Sequence, residues 1–180
     1  MQEIETKVLE VDALEIIKKI ESLGAEKTGD SLLKVDWFSL PGIDKDNQPW
    51  YLRIRSYNDE KVEITWKDEP KLINNLRKGN EINVLVDNHA KMKLFFESIG
   101  LVCYAHQEKK RQSFKLGAIQ FDLDTYPGMP SFLEIEVQDE KDINTMIEKL
   151  NLETHETWND GERKLIENKY NLNWSSMHFT

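Results

Sequence analysis

Strict alternation of polar and apolar residues constrains the fold of this chain more than any other feature. A period of two places successive side chains on opposite faces of a β-strand. The alternation runs through residues 2–10, 50–57, 61–67, 118–124 and 131–137. Less regular segments near residues 31–40, 81–87 and 102–115 predict further strands. The sequence therefore predicts a sheet of many strands, mostly joined as hairpins, in which each strand has one apolar face.

Helices are predicted where apolar residues recur at helical spacing instead. Three such stripes occupy residues 13–23, 89–99 and 140–150. A shorter charged helix is predicted over residues 160–169, and its charges have the pattern of an ordinary solvated face. Because the apolar strand faces must be covered, we expect the helical stripes to pack against them. The predicted fold class is α+β.

The charge balance of the chain limits the partners that it can bind. The 180 residues include 24 Lys and Arg against 33 Asp and Glu, which gives a net charge of −9. Nucleic-acid-binding surfaces normally show a basic excess, so no nucleic-acid partner is expected. A small anionic ligand is compatible with this composition, because a local cluster of Lys and Arg can lie inside an acidic protein.

Other features of the sequence concern its cellular setting. Cys103 is the one cysteine, so no intrachain disulfide can form. No apolar run reaches the roughly 20 residues that a membrane span needs, and an acidic residue at position 3 argues against a signal peptide. We expect a single domain over residues 1–180 in the cytoplasm, without a membrane partner. A homodimer would agree with the frequency of symmetric dimers among soluble proteins.

The polar faces of the predicted strands carry acids and bases in nearly equal number. The acids are Glu3, Glu5, Glu63, Asp122, Asp124, Glu134 and Glu136; the bases, including those near 107–115, are Lys7, Arg53, Arg55, Lys67, Lys109 and Arg111. These faces belong either to a twisted sheet with a solvated, salt-bridged surface or to a shared cavity. Many alternating strands favour closure into a barrel, because closure removes the sheet edges.

The residue types on these faces favour a cavity that binds phosphate and metal. Arg forms forked contacts to phosphate oxygens, and Arg53 and Arg55 share one strand face. Glu-x-Glu and Asp-x-Asp pairs place two carboxylates side by side, and Mg²⁺ and Mn²⁺ prefer oxygen ligands of this kind. A tunnel with both sets would hold a polyphosphate together with its metal ion.

Six short blocks in this order resemble the CYTH, or triphosphate tunnel metalloenzyme, superfamily. The blocks are Glu3-x-Glu5-x-Lys7, Leu52-Arg53-Ile54-Arg55, Thr65-x-Lys67, Lys109-Lys110-Arg111, Asp124 and Phe132-Leu133-Glu134-Ile135-Glu136. The superfamily includes class IV adenylate cyclases, thiamine triphosphatases and inorganic triphosphatases. The resemblance covers about residues 3–137. It implies a closed antiparallel barrel of roughly eight strands, the triphosphate tunnel, with helices packed outside.

The resemblance also implies a role for each matching side chain. The metal-binding set for Mg²⁺ or Mn²⁺ would be Glu3, Glu5, Asp124, Glu134 and Glu136. The triphosphate would be bound by Lys7, Arg53, Arg55, Lys67, Lys109 and Arg111, with Arg77 as a further cation from the next strand. The residues expected to act in catalysis are Lys7, Arg53, Arg55 and Glu136. Many relatives carry an acidic pair where this chain has Glu81 and then Asn83, which weakens the case for a second metal site.

Three functions follow from the resemblance. The first is a metal-dependent hydrolase of inorganic triphosphate or of an organic triphosphate such as thiamine triphosphate. The alternative is a class IV adenylate cyclase that converts ATP to cyclic AMP and pyrophosphate, and the stretches 107–111 and 124–136 look cyclase-like. The third is a non-catalytic polyphosphate-binding or nucleotide-binding module. Trp37, Trp50 and Trp66 are candidates to stack on a substrate ring, although such residues are more often part of a core.

Overall fold

The alternating segments form strands that surround one interior. The structure is a computed structural model that describes residues 2–43, 48–68, 71–73 and 76–180, apart from the side chains of residues 2, 3, 71–73 and 76–78. The strands are β1 (Gln2–Val8), β2 (Glu26–Ser39), β3 (Trp50–Tyr57), β4 (Lys61–Asp68), β5 (Lys71–Ile73), β6 (Leu76–Val86), β7 (Val102–Leu116), β8 (Ile119–Thr125), β9 (Phe132–Val137), β10 (Thr157–Trp158) and β11 (Ser176–Met177).

The order of neighbouring strands returns to its starting point. The path β1-β9-β8-β7-β2-β3-β4-β6 is antiparallel throughout, and β6 pairs again with β1. In the closing pair, Glu5 lies opposite Arg77 and Gln2 lies opposite Asn80. The predicted antiparallel barrel of about eight strands is therefore confirmed. Three short strands extend it: β5 pairs with β6, β10 with β1, and β11 runs parallel to β7.

Two of the three main helices cover one side of the barrel. These are α1 (Ala13–Ser22) and α3 (Glu140–Lys149). Ile16 and Ile20 of α1 and Met146 of α3 are buried with the outward side chains of β1, β8 and β9. The Asp12 carboxylate accepts a hydrogen bond from the Glu15 N–H at 2.8 Å and caps α1. The apolar faces predicted from the alternation therefore point outward, which leaves the polar faces for the interior.

The third main helix, α2 (His89–Ser98), covers a second part of the barrel. Its Phe96 packs edge-on against Phe38 of β2, with ring centroids 5.1 Å apart. The predicted helix 89–99 is thus confirmed to within one residue, as are the other two main helices. None of the helices that the structure describes is long and apolar enough to cross a membrane.

The segment 160–169 differs from the prediction of a solvated helix. It forms only a short helix, α4 (Glu162–Lys164), followed by one π-helical turn over Leu165–Lys169. Leu165 and Ile166 are completely buried, in a cluster that includes Leu9 and Trp174. This anchoring turns the charged start of the segment toward the barrel interior, so its charges are not those of an ordinary solvated face.

Candidate active site in the barrel interior

The barrel encloses a cavity of about 680 Å³. All eight strands of the ring contribute to its wall, because alternate residues of each strand point inward. The segment 159–164 also borders the cavity. Nine of the residues predicted from the sequence line it together: Glu5, Lys7, Arg53, Arg55, Lys67, Lys109, Arg111, Glu134 and Glu136.

The three remaining predicted residues are Glu3, Arg77 and Asp124. Glu3 lies on β1 and Arg77 on β6, but their side chains are outside the described part of the chain. Asp124 is completely buried behind the wall. Its carboxylate oxygens accept hydrogen bonds from Lys109 and Arg111, which cover it. Asp124 therefore contacts two cations of the wall, and its predicted metal-binding role stays a prediction.

Two arginines of β3 form the most cationic part of the wall. Arg55 donates from Nη2 to Glu63 Oε1 at 2.6 Å. Arg53 makes no hydrogen bond or ion pair with any residue that the structure describes, and its Nε is buried without an acceptor. Its guanidinium carbon lies 5.4 Å from the centre of the Trp37 ring. Burial and the neighbouring charge of Arg55 lower the pKa of Arg53 to about 10. Arg53 is thus a half-buried cation that a bound anion would neutralise.

Lys109 and Arg111 of β7 extend this cationic wall. The Lys109 Nζ lies 2.7 Å from Asp124 Oδ2 and 2.8 Å from Glu162 Oε1. Arg111 donates from Nε to Asp124 Oδ1 at 2.7 Å and from Nη1 to Asp122 Oδ2 at 2.6 Å. Burial acts to lower the pKa of Arg111, but Asp122 and Asp124 raise it well above its ordinary value. Both side chains are therefore held in fixed positions by carboxylates.

The acidic part of the wall lies on β1 and β9. Glu5 and Lys7 of β1 stand directly opposite Glu136 and Glu134 of β9 in the strand register. The Lys7 Nζ lies 3.3 Å from Glu5 Oε1 and 3.0 Å from Glu134 Oε2. Burial acts to raise the pKa of Glu134, but Lys7 and Arg111 outweigh it and hold that pKa well below its usual range. Glu134 is therefore ionised at neutral pH.

The ring order places these two walls across the cavity from each other. Four steps separate β3 from β9 in either direction around the eight strands. Arg53 and Arg55 therefore face the carboxylates of Glu134 and Glu136. An elongated anion between the walls would meet cations on one side and a cluster of carboxylates on the other.

The carboxylates on β1 and β9 supply a donor set of the right chemistry for Mg²⁺ or Mn²⁺. Glu5, Glu134 and Glu136 offer only hard oxygen ligands. The three carboxylates do not converge on one point in the described part of the structure, because the Lys7 ammonium lies between Glu5 and Glu134. A metal ion at this place would replace the ammonium as the partner of these two carboxylates. The residues present thus fit a divalent ion.

Glu162 is a functional candidate that the sequence pattern did not reveal. Its carboxylate lines the cavity, and it accepts a hydrogen bond from the Tyr126 hydroxyl at 2.6 Å. Burial acts to raise the pKa of Glu162, but Lys109 and Lys7 hold it well below its ordinary value. The one sequence signal is the turn Asn159-Asp160-Gly161 directly before it, and such a turn does not indicate what it faces.

Aromatic side chains also border the cavity. Trp37 lies in the wall, whereas the other two predicted candidates, Trp50 and Trp66, do not line the cavity. Trp174 was not predicted, and its ring centroid is 5.3 Å from that of Trp37. The Trp37 Nε1 donates to Gln107 Oε1 at 2.8 Å, which fixes the indole at the edge of the polar region. A ring stacking role stays a prediction for Trp37.

Fold and site together define a class of protein: an antiparallel eight-stranded tunnel with helices outside and opposed walls of cations and carboxylates inside. The CYTH domain family model matches residues 1–164. The chain therefore belongs to the CYTH domain family, as its sequence motifs predicted. Members of this family are enzymes, and they generally use divalent metal ions.

Known proteins similar to this chain include both archaeal and plant members. A Methanocaldococcus jannaschii protein, provisionally named an adenylate cyclase, is 28% identical over 138 residues, which is 76% of this chain and 77% of that protein. A solved Pyrococcus horikoshii protein has a TM-score of 0.70 at 28% identity, covering 86% of this chain and 94% of that one. A solved Hippeastrum protein has a TM-score of 0.65 at 16% identity, covering 98% of this chain and 99% of that one. That protein is provisionally named an adenylyl cyclase, and a dominant triphosphatase activity is described for it. This last likeness concerns the fold.

Proposed function

We propose that this protein is a metal-dependent triphosphatase that hydrolyses inorganic triphosphate or an organic triphosphate. The observation that supports this most directly is the guanidinium of Arg53, which is half-buried, has its Nε fully buried without an acceptor, and makes no ion pair with a described residue. A buried charge is costly unless it is paired. A ligand with several anionic oxygens, bound between the walls, would provide the missing partner.

The proposed roles follow from the position of each side chain. Arg53 and Arg55 bind the non-bridging oxygens of the substrate from one wall, and Lys109 and Arg111 bind them from β7. Lys67 of β4 also borders the cavity, where it pairs with Glu81. Asp124 holds Lys109 and Arg111 in place. Because the cations are fixed before binding, little reorganisation is needed as charge develops in the transition state.

Glu5, Glu134 and Glu136 would hold the Mg²⁺ or Mn²⁺ ion. Such an ion neutralises phosphate charge and lowers the pKa of a bound water. In the proposed reaction, a water oxygen attacks the terminal phosphorus while the bond to the bridging oxygen breaks. Phosphate and the remaining diphosphate are the products. The wall residues keep the attacking and leaving oxygens in line.

An adenylate cyclase is the second candidate. It is supported by the name of the Methanocaldococcus jannaschii relative, which is 28% identical. The aromatic wall at Trp37 and Tyr51 is also compatible with an adenine ring. In this reaction the ATP 3′-hydroxyl attacks the α-phosphorus, and pyrophosphate leaves. The same walls would bind the triphosphate, so the two candidates differ in which phosphorus is attacked.

Product analysis distinguishes these candidates. Purified protein is incubated with Mg²⁺ or Mn²⁺ and, separately, with triphosphate, ATP or thiamine triphosphate, and both phosphate and cyclic AMP are measured. We expect release of phosphate without cyclic AMP, and loss of activity when EDTA removes the metal. Cyclic AMP from ATP would contradict the triphosphatase. Tight triphosphate binding without turnover would instead indicate a binding module.

Two variants control this experiment. Glu134→Ala removes a proposed metal ligand, so we expect turnover to fall by at least about 100-fold. Lys149→Ala changes an exposed side chain at the end of α3, and it should leave turnover unchanged. If Glu134→Ala retained full activity, the assignment of the metal to β1 and β9 would be wrong.

A further inference from the structure

A second cluster of metal-binding side chains lies outside the barrel, on the opposite face of β7 from Lys109 and Arg111. It consists of His106 and Glu108 of β7 and His178, which follows β11. One ligand atom from each of the three residues lies within 4.8 Å of the other two. His178 is exposed, and the other two are half-buried, so an ion from solvent can reach all three.

Asp36 sets the orientation of the His106 ring. The Asp36 carboxylate contacts the His106 Nδ1 and is itself held by His89 Nε2 and Lys93 Nζ, each at 3.0 Å. Because Nδ1 of His106 is engaged by this carboxylate, Nε2 is the ring nitrogen that is left to bind a ligand. A carboxylate behind the ring is the usual support for a metal-binding histidine.

Backbone contacts place the other two residues beside His106. Strand β11 runs parallel to β7, with Ser176 opposite His106. The Phe179 N–H donates to Glu108 Oε2 at 3.0 Å. The rings of His106 and His178 are nearly parallel, with centroids 5.1 Å apart. The arrangement therefore depends on the fold of the C-terminal segment and not on chance contact of three mobile side chains.

We propose that His106, Glu108 and His178 bind a borderline transition-metal ion, Zn²⁺ in the first place. Two imidazoles and one carboxylate, with water in the fourth position, are a common ligand set for this ion. Bonds of about 2.0–2.2 Å would bring the ligand atoms to roughly 3.4 Å from one another. The side chains must therefore approach by on the order of 1 Å, which a rotation of the exposed His178 can supply.

This site differs in chemistry from the interior of the barrel. The proposed interior ligands are all carboxylates, whereas the outer cluster contains two nitrogen donors. Imidazole favours zinc-like ions over Mg²⁺. The ion would also fasten the C-terminal segment to the barrel wall, because His178 and Glu108 belong to different elements.

Calorimetry tests the proposal on the whole protein. The protein is treated with EDTA, desalted, and titrated with Zn²⁺ in excess Mg²⁺, so that the interior carboxylates are occupied. We expect one equivalent of Zn²⁺ to bind. His106→Ala and His178→Ala should each weaken binding by more than about 10-fold. His155→Ala, which removes a histidine far from the cluster in sequence and outside it, should bind as wild type.

Two further measurements keep this test decisive. Co²⁺ in place of Zn²⁺ should give visible absorption bands in wild type that disappear in His178→Ala, and thermal unfolding should show that this variant is folded. Glu134→Gln should bind Zn²⁺ as wild type, because Glu134 lies in the interior. The proposal is overturned if wild type binds no Zn²⁺, if both histidine variants bind as wild type, or if only Glu134→Gln loses the site.

Discussion

At the scale of single residues, the two arginines of β3 stand two positions apart but in different electrostatic situations. Arg55 is paired with Glu63, whereas Arg53 has no carboxylate partner among the described residues. Removing a paired cation leaves a buried carboxylate behind, which is destabilising. Removing an unpaired cation relieves a desolvation cost. The two positions therefore make a matched pair for mutation.

We predict that Arg53→Gln and Arg55→Gln change stability in opposite directions. Both substitutions should reduce activity. Arg53→Gln should raise the free energy of unfolding without ligand by on the order of 1 kcal/mol, and Arg55→Gln should lower it by about 2 kcal/mol. Both should reduce kcat/KM by about 100-fold or more, because each removes a fixed donor for phosphate. Urea denaturation and steady-state kinetics measure the two quantities. Equal loss of stability in both variants would contradict the unpaired state of Arg53.

The sequence allowed most of the charged wall to be predicted, for a physical reason. Alternation fixes which face of a strand a residue occupies, so Lys109 and Arg111 were placed in the interior together. It does not fix the depth of a residue along the barrel. Asp124 shares the inward face of β8 with Asp122, yet it is covered by other side chains and does not reach the cavity. Glu162 follows no strand period, and only the docking of its segment places it inside.

At the scale of elements, the segment from β10 to the π-helical turn borders the cavity. Its charged residues 160, 162, 163 and 164 line the interior, and buried Leu165 anchors them. The segment has few backbone partners, since β10 pairs over only two residues with β1. Its position therefore depends on side-chain packing.

We predict that Leu165→Ala loosens this segment specifically. Loss of a completely buried leucine should lower the free energy of unfolding by about 3 kcal/mol. Amide hydrogen exchange should accelerate over residues 157–169 before other regions are affected. Leu14→Ala is a matched control, because the Leu14 side chain of α1 is 74% exposed. A uniform acceleration of exchange throughout the chain would argue against a locally anchored segment.

Element boundaries were predicted well where a local sequence pattern determines them. They were predicted poorly where pairing with another strand determines them. The three main helices begin and end within one residue of their predicted bounds. Strand β2 begins at Glu26, five residues before the predicted start, because Glu26 pairs with Lys115 of β7. Strands β5, β10 and β11 have two or three residues each and are too short to show a period. Their existence depends on neighbours that are distant in sequence.

At the scale of the whole molecule, half-buried carboxylates of the barrel interior link stability to pH. Burial acts to raise the pKa of Glu134 and of Glu162, but the surrounding cations hold both well below the ordinary value of 4.5. As the pH falls, the unfolded chain therefore binds protons at these two groups at a higher pH than the folded protein does. Their contribution to stability is complete above about pH 5 and is lost as the pH falls through 4.5 toward the lower folded values.

We predict that the loss of stability at low pH is smaller in Glu134→Gln than in wild type. The free energy of unfolding of wild type should be nearly constant between pH 6 and 7 and should decrease below about pH 5. Glu134→Gln should show a shallower decrease, because one of the linked groups is absent. Glu148→Gln, at an exposed position of α3, serves as the control and should follow wild type. Urea denaturation between about pH 3 and 7 measures the slopes, and identical slopes in all three proteins would contradict the linkage.

The closing pair of the ring also has a consequence for how the molecule is made. Strand β1 leaves the ribosome well before β9 and β6, yet it lies between them in the finished ring. During vectorial synthesis β1 can pair with β6 first, but its second edge has no partner until β9 has emerged. Such long-range closure is slow, since much chain entropy is lost before the contacts form. Until the ring closes, the free edge of β1 is therefore open to non-native strand pairing.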